Sequence, residues 1–137
     1  MITVKHLSKT FYNTAIPFTV LRDVNCEIKK GEIISIIGPS GTGKSTFLRC
    51  INLLEQPTSG EIFVNGINIM DKKTDLNAIR QKMGMVFQNF NLFSHLSILH
   101  NVTIGPIKLL KMPKEDAEKQ AMDLLRMVGL AEKANSM

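Results

Sequence analysis

The stretch Glu32–Leu54, EIISIIGPSGTGKSTFLRCINLL, contains the features that decide the fold. The apolar or small residues Ile33–Ile37 predict a buried strand, and the amphipathic run Phe47–Leu54 predicts a helix that starts inside the preceding motif. Between them, Gly38–Thr46 contains the pattern G-x-x-x-x-G-K-[ST] with every fixed position matched. Strand, glycine-rich loop and helix, in this order, are the context that a phosphate-binding loop requires. The sequence therefore predicts a loop that binds the phosphates of a nucleoside triphosphate.

Each residue type in this loop suits one part of phosphate binding. Glycines at 38, 41 and 43 allow the backbone to curl so that successive N–H groups point at phosphate oxygens. The helix N-terminus adds partial positive charge behind them. Lys44 is predicted to reach the β- and γ-phosphates, and the Ser45 hydroxyl is predicted to ligate Mg²⁺. The loop residues expected to contact the nucleotide are Gly38, Ser40, Gly41, Thr42, Gly43, Lys44, Ser45 and Thr46.

Length and composition indicate a globular domain with a slight basic excess. A chain of 137 residues predicts one domain, which is short for a complete P-loop enzyme. The net charge of +5 favours an anionic partner such as a polyphosphate, but the basic residues are scattered. Cys26 and Cys50 lack metal-ligand spacing and predict reduced thiols. Lys5 and His6 argue against a signal peptide, and no apolar run approaches the roughly 20 residues of a membrane helix, so an intracellular chain is expected.

The hydrophobic periodicity divides the chain into a strand-rich front and a helical tail. The predicted strands are Ile2–Phe11 (bulged near Lys5–Leu7), Val20–Ile28, a hairpin centred on Asn65-Gly66, and Lys82–Gln88. The predicted helices are a short one within Asp71–Gln81, one capped by Ser97 that runs to about Leu110 with an interruption near Gly105-Pro106, and Lys114–Val128.

The last predicted helix has an apolar face and a clear end. The face consists of Ala117, Ala121, Leu124, Leu125 and Val128, and Gly129 is predicted to end the helix. The expected fold class is α/β, with a P-loop core that carries an antiparallel β subdomain over residues 1–88. Residues 89–137 are expected to form a partial helical subdomain.

Three segments outside the loop carry a family resemblance. Strand-forming sequence precedes the loop, whereas small nucleotide kinases usually begin with the loop; PTSGEIFVNG follows the loop helix; and MGMVFQNFNLFSHLSILHNV holds a glutamine at a predicted strand end. Together they resemble the ATP-binding subunit of ABC transporters over the whole length of the chain. Within that family, VFQNFNLF and NVTIGPIK are most similar to the subunits that drive bacterial uptake of polar amino acids.

The resemblance implies a role for an aromatic residue near the end of the first strand. Phe11, in Lys9-Thr10-Phe11, matches the aromatic ring that stacks on adenine in the family. Stacking a base on an aromatic ring is worth roughly 1–3 kcal/mol in nucleic-acid-binding proteins. Tyr12 is the alternative, because neighbouring strand residues face opposite sides and only one of them can stack. Phe11 could also be a core residue with no ligand.

A second role implied by the resemblance belongs to Gln88. This residue matches the glutamine that approaches Mg²⁺ and the attacking water in the family and couples the site to the membrane subunits. A polar surface glutamine is the alternative interpretation. Residues 89–97 would then lie near the membrane partner, with Leu92, Phe93 and Leu96 as contact surface.

The implied function is ATP hydrolysis coupled to import of polar amino acids, with ATP and Mg²⁺ as cofactors. The implied partners are transmembrane permease subunits and a second copy of the ATP-binding subunit, with no nucleic acid among them. The implied location is the cytoplasmic face of the plasma membrane, with peripheral attachment. A non-catalytic nucleotide-binding short form remains an alternative. So does a soluble ABC-type ATPase, although such proteins usually carry insertions for which the segment between Thr46 and Gln88 leaves little room.

Several catalytic motifs of the family are absent from this sequence. It contains no Gly-Gly pair for the signature loop L-S-G-G-Q and no Asp-Glu pair after an apolar tetrad. His6, His95 and His100 do not match the position of the switch histidine. The chain therefore resembles the N-terminal portion of a longer subunit, and we expect it not to hydrolyse ATP by itself. The central strand Ile33–Ile37 is also expected to have an open edge, because the neighbouring strand of the family is missing.

Overall fold

The computed structural model describes residues 1–12, 15–89 and 91–137. These residues form two compact units, Met1–Met85 and Val86–Met137. The subdomain boundary expected after Gln88 stays a prediction. No helix in the described part of the chain is both long enough and apolar enough to cross a membrane.

The first unit is built on a four-stranded antiparallel sheet. Its strands are β1 (Ile2–Phe11), β2 (Phe18–Ile28), β3 (Ser59–Val64) and β4 (Ile67–Asn68), in the order β2-β1-β3-β4. The first two predicted strands are confirmed, and so is the predicted bulge, since the register of β1 against β2 shifts between Val4 and Leu7. The hairpin is confirmed as well: Asn65 and Gly66 have φ values of 51° and 81°, and the type I′ turn of a two-residue hairpin needs positive φ at both positions.

Two helices cover the sheet in this unit. Helix α1 (Lys44–Ile51) buries Phe47, Cys50 and Ile51, and α2 (Leu76–Arg80) buries Ile79. Asp75 caps α2, because its side chain accepts hydrogen bonds from the backbone N–H groups of Asn77 and Ala78. The helix residues join one hydrophobic cluster with buried residues of the sheet and its flanks: Val4, Leu7, Leu21, Ile62, Val64 and Ile69. The helix after the loop thus sits on the sheet through its apolar stripe.

The predicted strands Ile33–Ile37 and Lys82–Gln88 are wrong as paired strands. Neither segment has a strand partner among the described residues, and both contain exposed apolar side chains. Ile33 is 96% exposed, Ile37 is 93% exposed and Val86 is 98% exposed. A strand needs backbone partners on a neighbouring strand, and this requirement is not written in the segment's own sequence. Among the described residues of this unit, Ile33–Ile37 therefore has no neighbouring strand on either side, so both of its edges are open and not only the one expected from the sequence.

The second unit is helical, with α3 (Ile98–Leu109), α4 (Lys114–Met127) and a 3₁₀ turn at Ala131–Lys133. Ser97 caps α3 as predicted, because its hydroxyl accepts a hydrogen bond from the His100 N–H. The interruption predicted near Gly105-Pro106 is wrong, since α3 runs through Pro106. The turn beyond the proline is closed by the N–H groups of Leu110 and Met112, which both donate to the Pro106 carbonyl.

The predicted apolar face of α4 is buried only in part. Ala117, Ala121 and Leu125 are buried, whereas Leu124 is 55% exposed and Val128 is 67% exposed. Gly129 has a φ of 71° and ends the helix as predicted. The residues that follow α4 return to α3: the Ala134 and Ser136 carbonyls accept hydrogen bonds from the Leu99 and Ile98 N–H groups. Those two amides belong to the first turn of α3, which has no carbonyl partners of its own.

Candidate functional site

The loop between residue 37 and α1 is shaped by two glycines with left-handed backbone. Gly41 has a φ of 81° and Gly43 a φ of 90°, a conformation that L-residues with a side chain rarely adopt. A Cβ atom at Gly43 would lie 2.6 Å from Val20 Cγ1 and 3.2 Å from the Val20 carbonyl oxygen. A Cβ atom at Gly41 would meet no atom within 4 Å. Gly43 is therefore needed both for the turn and for the close approach of the loop to β2.

The Lys44 ammonium lies inside the curl of this loop. Lys44 Nζ donates to the Pro39 carbonyl at 2.6 Å and to the Gly38 carbonyl at 2.7 Å. The Thr42 hydroxyl donates to the same Pro39 carbonyl at 2.9 Å and lies 3.5 Å from Lys44 Nζ. These bonds hold a positive charge at the centre of the loop, next to the N-terminal end of α1. The arrangement concentrates positive potential where an anion would sit.

The hydroxyl groups of the loop region are accessible. Ser40 and Ser45 are exposed, and Thr46 is half-buried in the first turn of α1. Among the described residues, no group of three or more His, Cys, Asp or Glu side chains could hold a metal ion. Magnesium is commonly held by one or two protein oxygens together with substrate phosphates. The Ser45 hydroxyl fits that kind of site, in which the nucleotide supplies most of the ligands.

Two cations that were not identified from the sequence bind backbone carbonyls near α1, Arg80 at the C-terminal end of the helix and Lys9 in the segment that follows it. Arg80 donates to the Asn52 carbonyl at 3.0 Å and to the Leu53 carbonyl at 2.9 Å. Lys9 donates to the Gln56 carbonyl at 2.7 Å. Carbonyls at the end of a helix lack intrahelical partners, and positive charge there is favourable. The sequence signal for a structural role of Arg80 was its position in the last turn of a short predicted helix.

Cys50 lies on the buried side of α1, below the loop. It has no exposed surface, and burial raises the pKa of its thiol to about 11. Cys26 is half-buried on β2, and burial raises the pKa of that thiol as well. Both thiols are therefore protonated and weakly reactive at neutral pH. They are free cysteines, as expected.

Phe11 and Tyr12 lie at the end of β1 in different environments. Phe11 is half-buried and pairs with Phe18 of β2, and Lys9 Nζ lies 4.7 Å from the centroid of its ring. Tyr12 follows the strand and is 68% exposed. The assignment of base stacking to Phe11, with Tyr12 as the alternative, stays a prediction.

Gln88 belongs to the second unit, where it is exposed on a bend. Its assignment to metal and water positioning also stays a prediction. Further along the same unit, Leu92 is 65% exposed, Phe93 is 50% exposed and Leu96 is half-buried.

Asn101 organises the segment before α3 and was missed by the sequence analysis. Its Nδ2 donates to the carbonyls of Phe93, Leu96 and Ser97 at 3.0–3.1 Å, and its Oδ1 accepts from the Phe93 N–H at 2.8 Å. One side chain thereby satisfies four backbone groups of residues 93–97 and fixes the exposed Phe93 beside them.

Comparison with known proteins identifies relatives over almost the whole chain. The profile of the ABC transporter family matches residues 21–137. The glutamine transport ATP-binding protein GlnQ of Escherichia coli (strain K12) is 51% identical over 135 residues, which are 98% of this chain and 55% of that protein. The glutamate/aspartate import ATP-binding protein GltL of the same organism is 49% identical over 135 residues, 98% of this chain and 54% of its own length. The chain thus spans about half the length of the curated relatives it matches.

Solved structures agree with this relationship. A dimeric post-hydrolysis state of the ATP-binding cassette MJ0796, bound to ADP and Pi, superposes with a TM-score of 0.88 at 40% identity, over 98% of this chain and 60% of that chain. A dimeric structure of MJ0796, described as a bacterial ABC transporter cassette, gives a TM-score of 0.87 at 40% identity, with the same coverage of both chains. The predicted α/β fold class, a P-loop core with an antiparallel β subdomain and a partial helical subdomain, is confirmed by these matches. The chain belongs to the ABC transporter family.

Proposed function

We propose that this chain binds ATP with Mg²⁺ as part of the ATP-binding subunit of a bacterial importer of polar amino acids. The observation that carries the proposal is the loop geometry: glycines 41 and 43 are in left-handed conformations around the Lys44 ammonium. The relatives named for glutamine transport and for glutamate/aspartate import support the solute class. The solved relative bound to ADP and Pi supports the ligand class.

The triphosphate would be held by backbone N–H groups of the loop and by Lys44. In the structure the ammonium is bonded to two loop carbonyls, which keep it close to the loop axis. Phosphate oxygens would replace or join these carbonyls as acceptors, and an ionised acceptor makes a stronger bond than a neutral one. The N-terminal end of α1 adds its partial positive charge to the same position.

Mg²⁺, when bound with the nucleotide, would neutralise phosphate charge. This chain would contribute the exposed Ser45 hydroxyl, with Gln88 as a second oxygen ligand that also orients water. Phe11 would contribute one face of its ring to the adenine. Binding is proposed for this chain, and hydrolysis coupled to import is proposed for the whole protein, because the family's catalytic Asp-Glu pair and signature loop are not in this sequence.

The proposed partners are permease subunits and a second copy of the ATP-binding subunit. The dimeric state of the solved relatives supports the second copy. The exposed Leu92, and the exposed Phe93 whose backbone is hydrogen-bonded to Asn101, support a contact with the permease on the second unit. The proposed location is the cytoplasmic face of the plasma membrane, reached through that contact.

Calorimetric titration of the purified chain with ATP and Mg²⁺ tests the proposal. Lys44→Ala removes a charged donor, and hydrogen bonds to charged groups contribute about 1.5–3 kcal/mol, so affinity should fall about tenfold to hundredfold. Lys72→Ala, which removes an exposed lysine outside the loop, is the matched control and should leave affinity unchanged. Equal affinities for wild type and Lys44→Ala would refute the assignment of the loop.

A further inference from the structure

Lys9 has an unusually confined environment for a lysine in a small domain. Its side chain is only 12% exposed, and Nζ forms an ion pair with Glu55 Oε1 at 2.5 Å. The same Nζ donates to the Gln56 carbonyl at 2.7 Å and lies 4.7 Å from the centroid of the Phe11 ring. An ammonium has three donor positions, and here a carboxylate, a carbonyl and an aromatic face account for them.

These contacts connect the Phe11 ring, at one end of the proposed nucleotide site, with the residues that follow the loop helix. Lys9 and Phe11 are both in β1, and the Lys9 ammonium lies over the Phe11 ring. Glu55 and Gln56 follow α1, the helix that begins at the phosphate loop. Glu55 is itself only 28% exposed, so the ion pair is partly shielded from water and geometrically defined. Lys9 is therefore the link between the Phe11 ring and the loop helix.

We propose that Lys9 is a positioning residue for base recognition: it occupies one face of the Phe11 ring, leaves the other face for a purine, and ties the ring to α1. This inference rests on the proposed function, in which Phe11 stacks on adenine. An ammonium fixed by Glu55 and Gln56 favours the ring orientation that presents a face to it. The ring is then already ordered before ATP binds, so that binding costs less conformational entropy, which is the benefit of a preorganised site.

The proposal predicts an effect on the base and none on the phosphates. Lys9→Met keeps an unbranched stem of similar length but removes the charge, so the Phe11 ring loses its restraint. ATP affinity should fall about twofold to fivefold, the fold-change that corresponds to one cation–π contact that is not fully desolvated. Affinity for inorganic tripolyphosphate, which has no base, should stay unchanged because Lys44 and the loop are intact.

Calorimetry with ATP and tripolyphosphate on four variants of the full chain tests this prediction: wild type, Lys9→Met, Phe11→Ala and the double variant. If Lys9 acts through Phe11, Lys9→Met should cause no further loss of ATP affinity in the Phe11→Ala background. Because Lys9→Met leaves Glu55 unpaired, Lys9→Met/Glu55→Gln is made alongside it. That variant removes the stranded charge and should show the same selective loss of ATP affinity.

The outcomes separate this inference from the proposed function. Equal losses for ATP and tripolyphosphate would mean that Lys9 acts through the loop helix, which overturns the inference. Unchanged ATP affinity in Lys9→Met, with a loss in Phe11→Ala, would overturn it while stacking by Phe11 stands. If Phe11→Ala binds ATP like wild type, the stacking assignment fails and the role of Lys9 fails with it. No ATP binding by the wild-type chain would overturn both.

Discussion

The close approach of Gly43 to β2 makes Gly43→Ala the most informative single substitution in the loop. Gly43 has a φ of 90°, and a Cβ atom there would lie 2.6 Å from Val20 Cγ1 and 3.1 Å from Leu21 Cδ2. Gly41 has nearly the same φ, 81°, but its Cβ would meet nothing within 4 Å. An alanine at either position should therefore have a similar conformational cost, but only Gly43→Ala should also cause a steric clash.

The two contributions can be estimated separately. A left-handed conformation costs an L-residue roughly 1–2 kcal/mol, and this cost applies to both Gly41→Ala and Gly43→Ala. At Gly43 the half-buried Val20 side chain must also move, and overpacking a core typically costs a further ~1–3 kcal/mol. Val20 is β-branched and has few alternative rotamers, so the strain is not easily relieved. We expect losses of about 1–2 kcal/mol for Gly41→Ala and about 2–5 kcal/mol for Gly43→Ala.

Urea unfolding of the two variants and wild type measures the difference directly. Val20→Ala added to Gly43→Ala removes the clashing methyl groups. The loss of stability in the double variant should therefore be smaller than the sum of the losses in the two single variants, by at least about 1 kcal/mol. Equal destabilisation by Gly41→Ala and Gly43→Ala would refute the steric reasoning. So would strict additivity of Val20→Ala and Gly43→Ala.

Two further predictions concern other parts of the molecule. Asn101→Ala should raise the amide hydrogen exchange rate of Phe93 about fivefold, because the Phe93 N–H loses its acceptor and a typical hydrogen bond contributes about 1 kcal/mol. An unchanged exchange rate would contradict the role of Asn101 in holding the backbone of Phe93. Burial raises the pKa of the Cys50 thiol in the folded state to about 11, above its ordinary value of 9.0. Between these two values the thiol ionises in the unfolded chain but stays protonated in the folded chain. The free energy of unfolding should therefore be unaffected by this thiol below pH 9 and should fall as the pH rises towards 11. Urea unfolding at successive pH values should show this decline, and Cys50→Ala should reduce it; the same decline in that variant would contradict the assignment.

The features that sequence predicted well depend on residues close together in the chain. The Asn65-Gly66 hairpin, the Ser97 cap and the end of α4 at Gly129 each follow from the backbone preference or side-chain chemistry of one or two residues. The predicted strands Ile33–Ile37 and Lys82–Gln88 would each need a partner strand from a distant part of the chain. The apolar composition of these two segments does not indicate whether such a partner strand exists.

The contacts that sequence missed are made by polar side chains acting over long separations. Lys9 reaches Glu55, and Arg80 reaches the end of α1. Each pairs with groups far away in the sequence, and no periodicity in the chain marks the pair. Asn101 acts over a shorter distance, but its four hydrogen bonds require a particular path of residues 93–97.

The position of the glycine-rich loop between residue 37 and α1 depends more on the antiparallel sheet than on the segment before the loop. Ile33–Ile37 is exposed and unpaired in the described structure, yet the loop is curled around Lys44 and α1 is packed. Two contacts account for this: Gly43 lies against Val20, and the apolar face of α1 lies in the sheet cluster. The motif marks the loop in the sequence, but β1 and β2 provide its support within this unit. Substitutions that face the loop from β2, beginning with Val20 and Leu21, should therefore alter the loop more than substitutions in Ile33–Ile37.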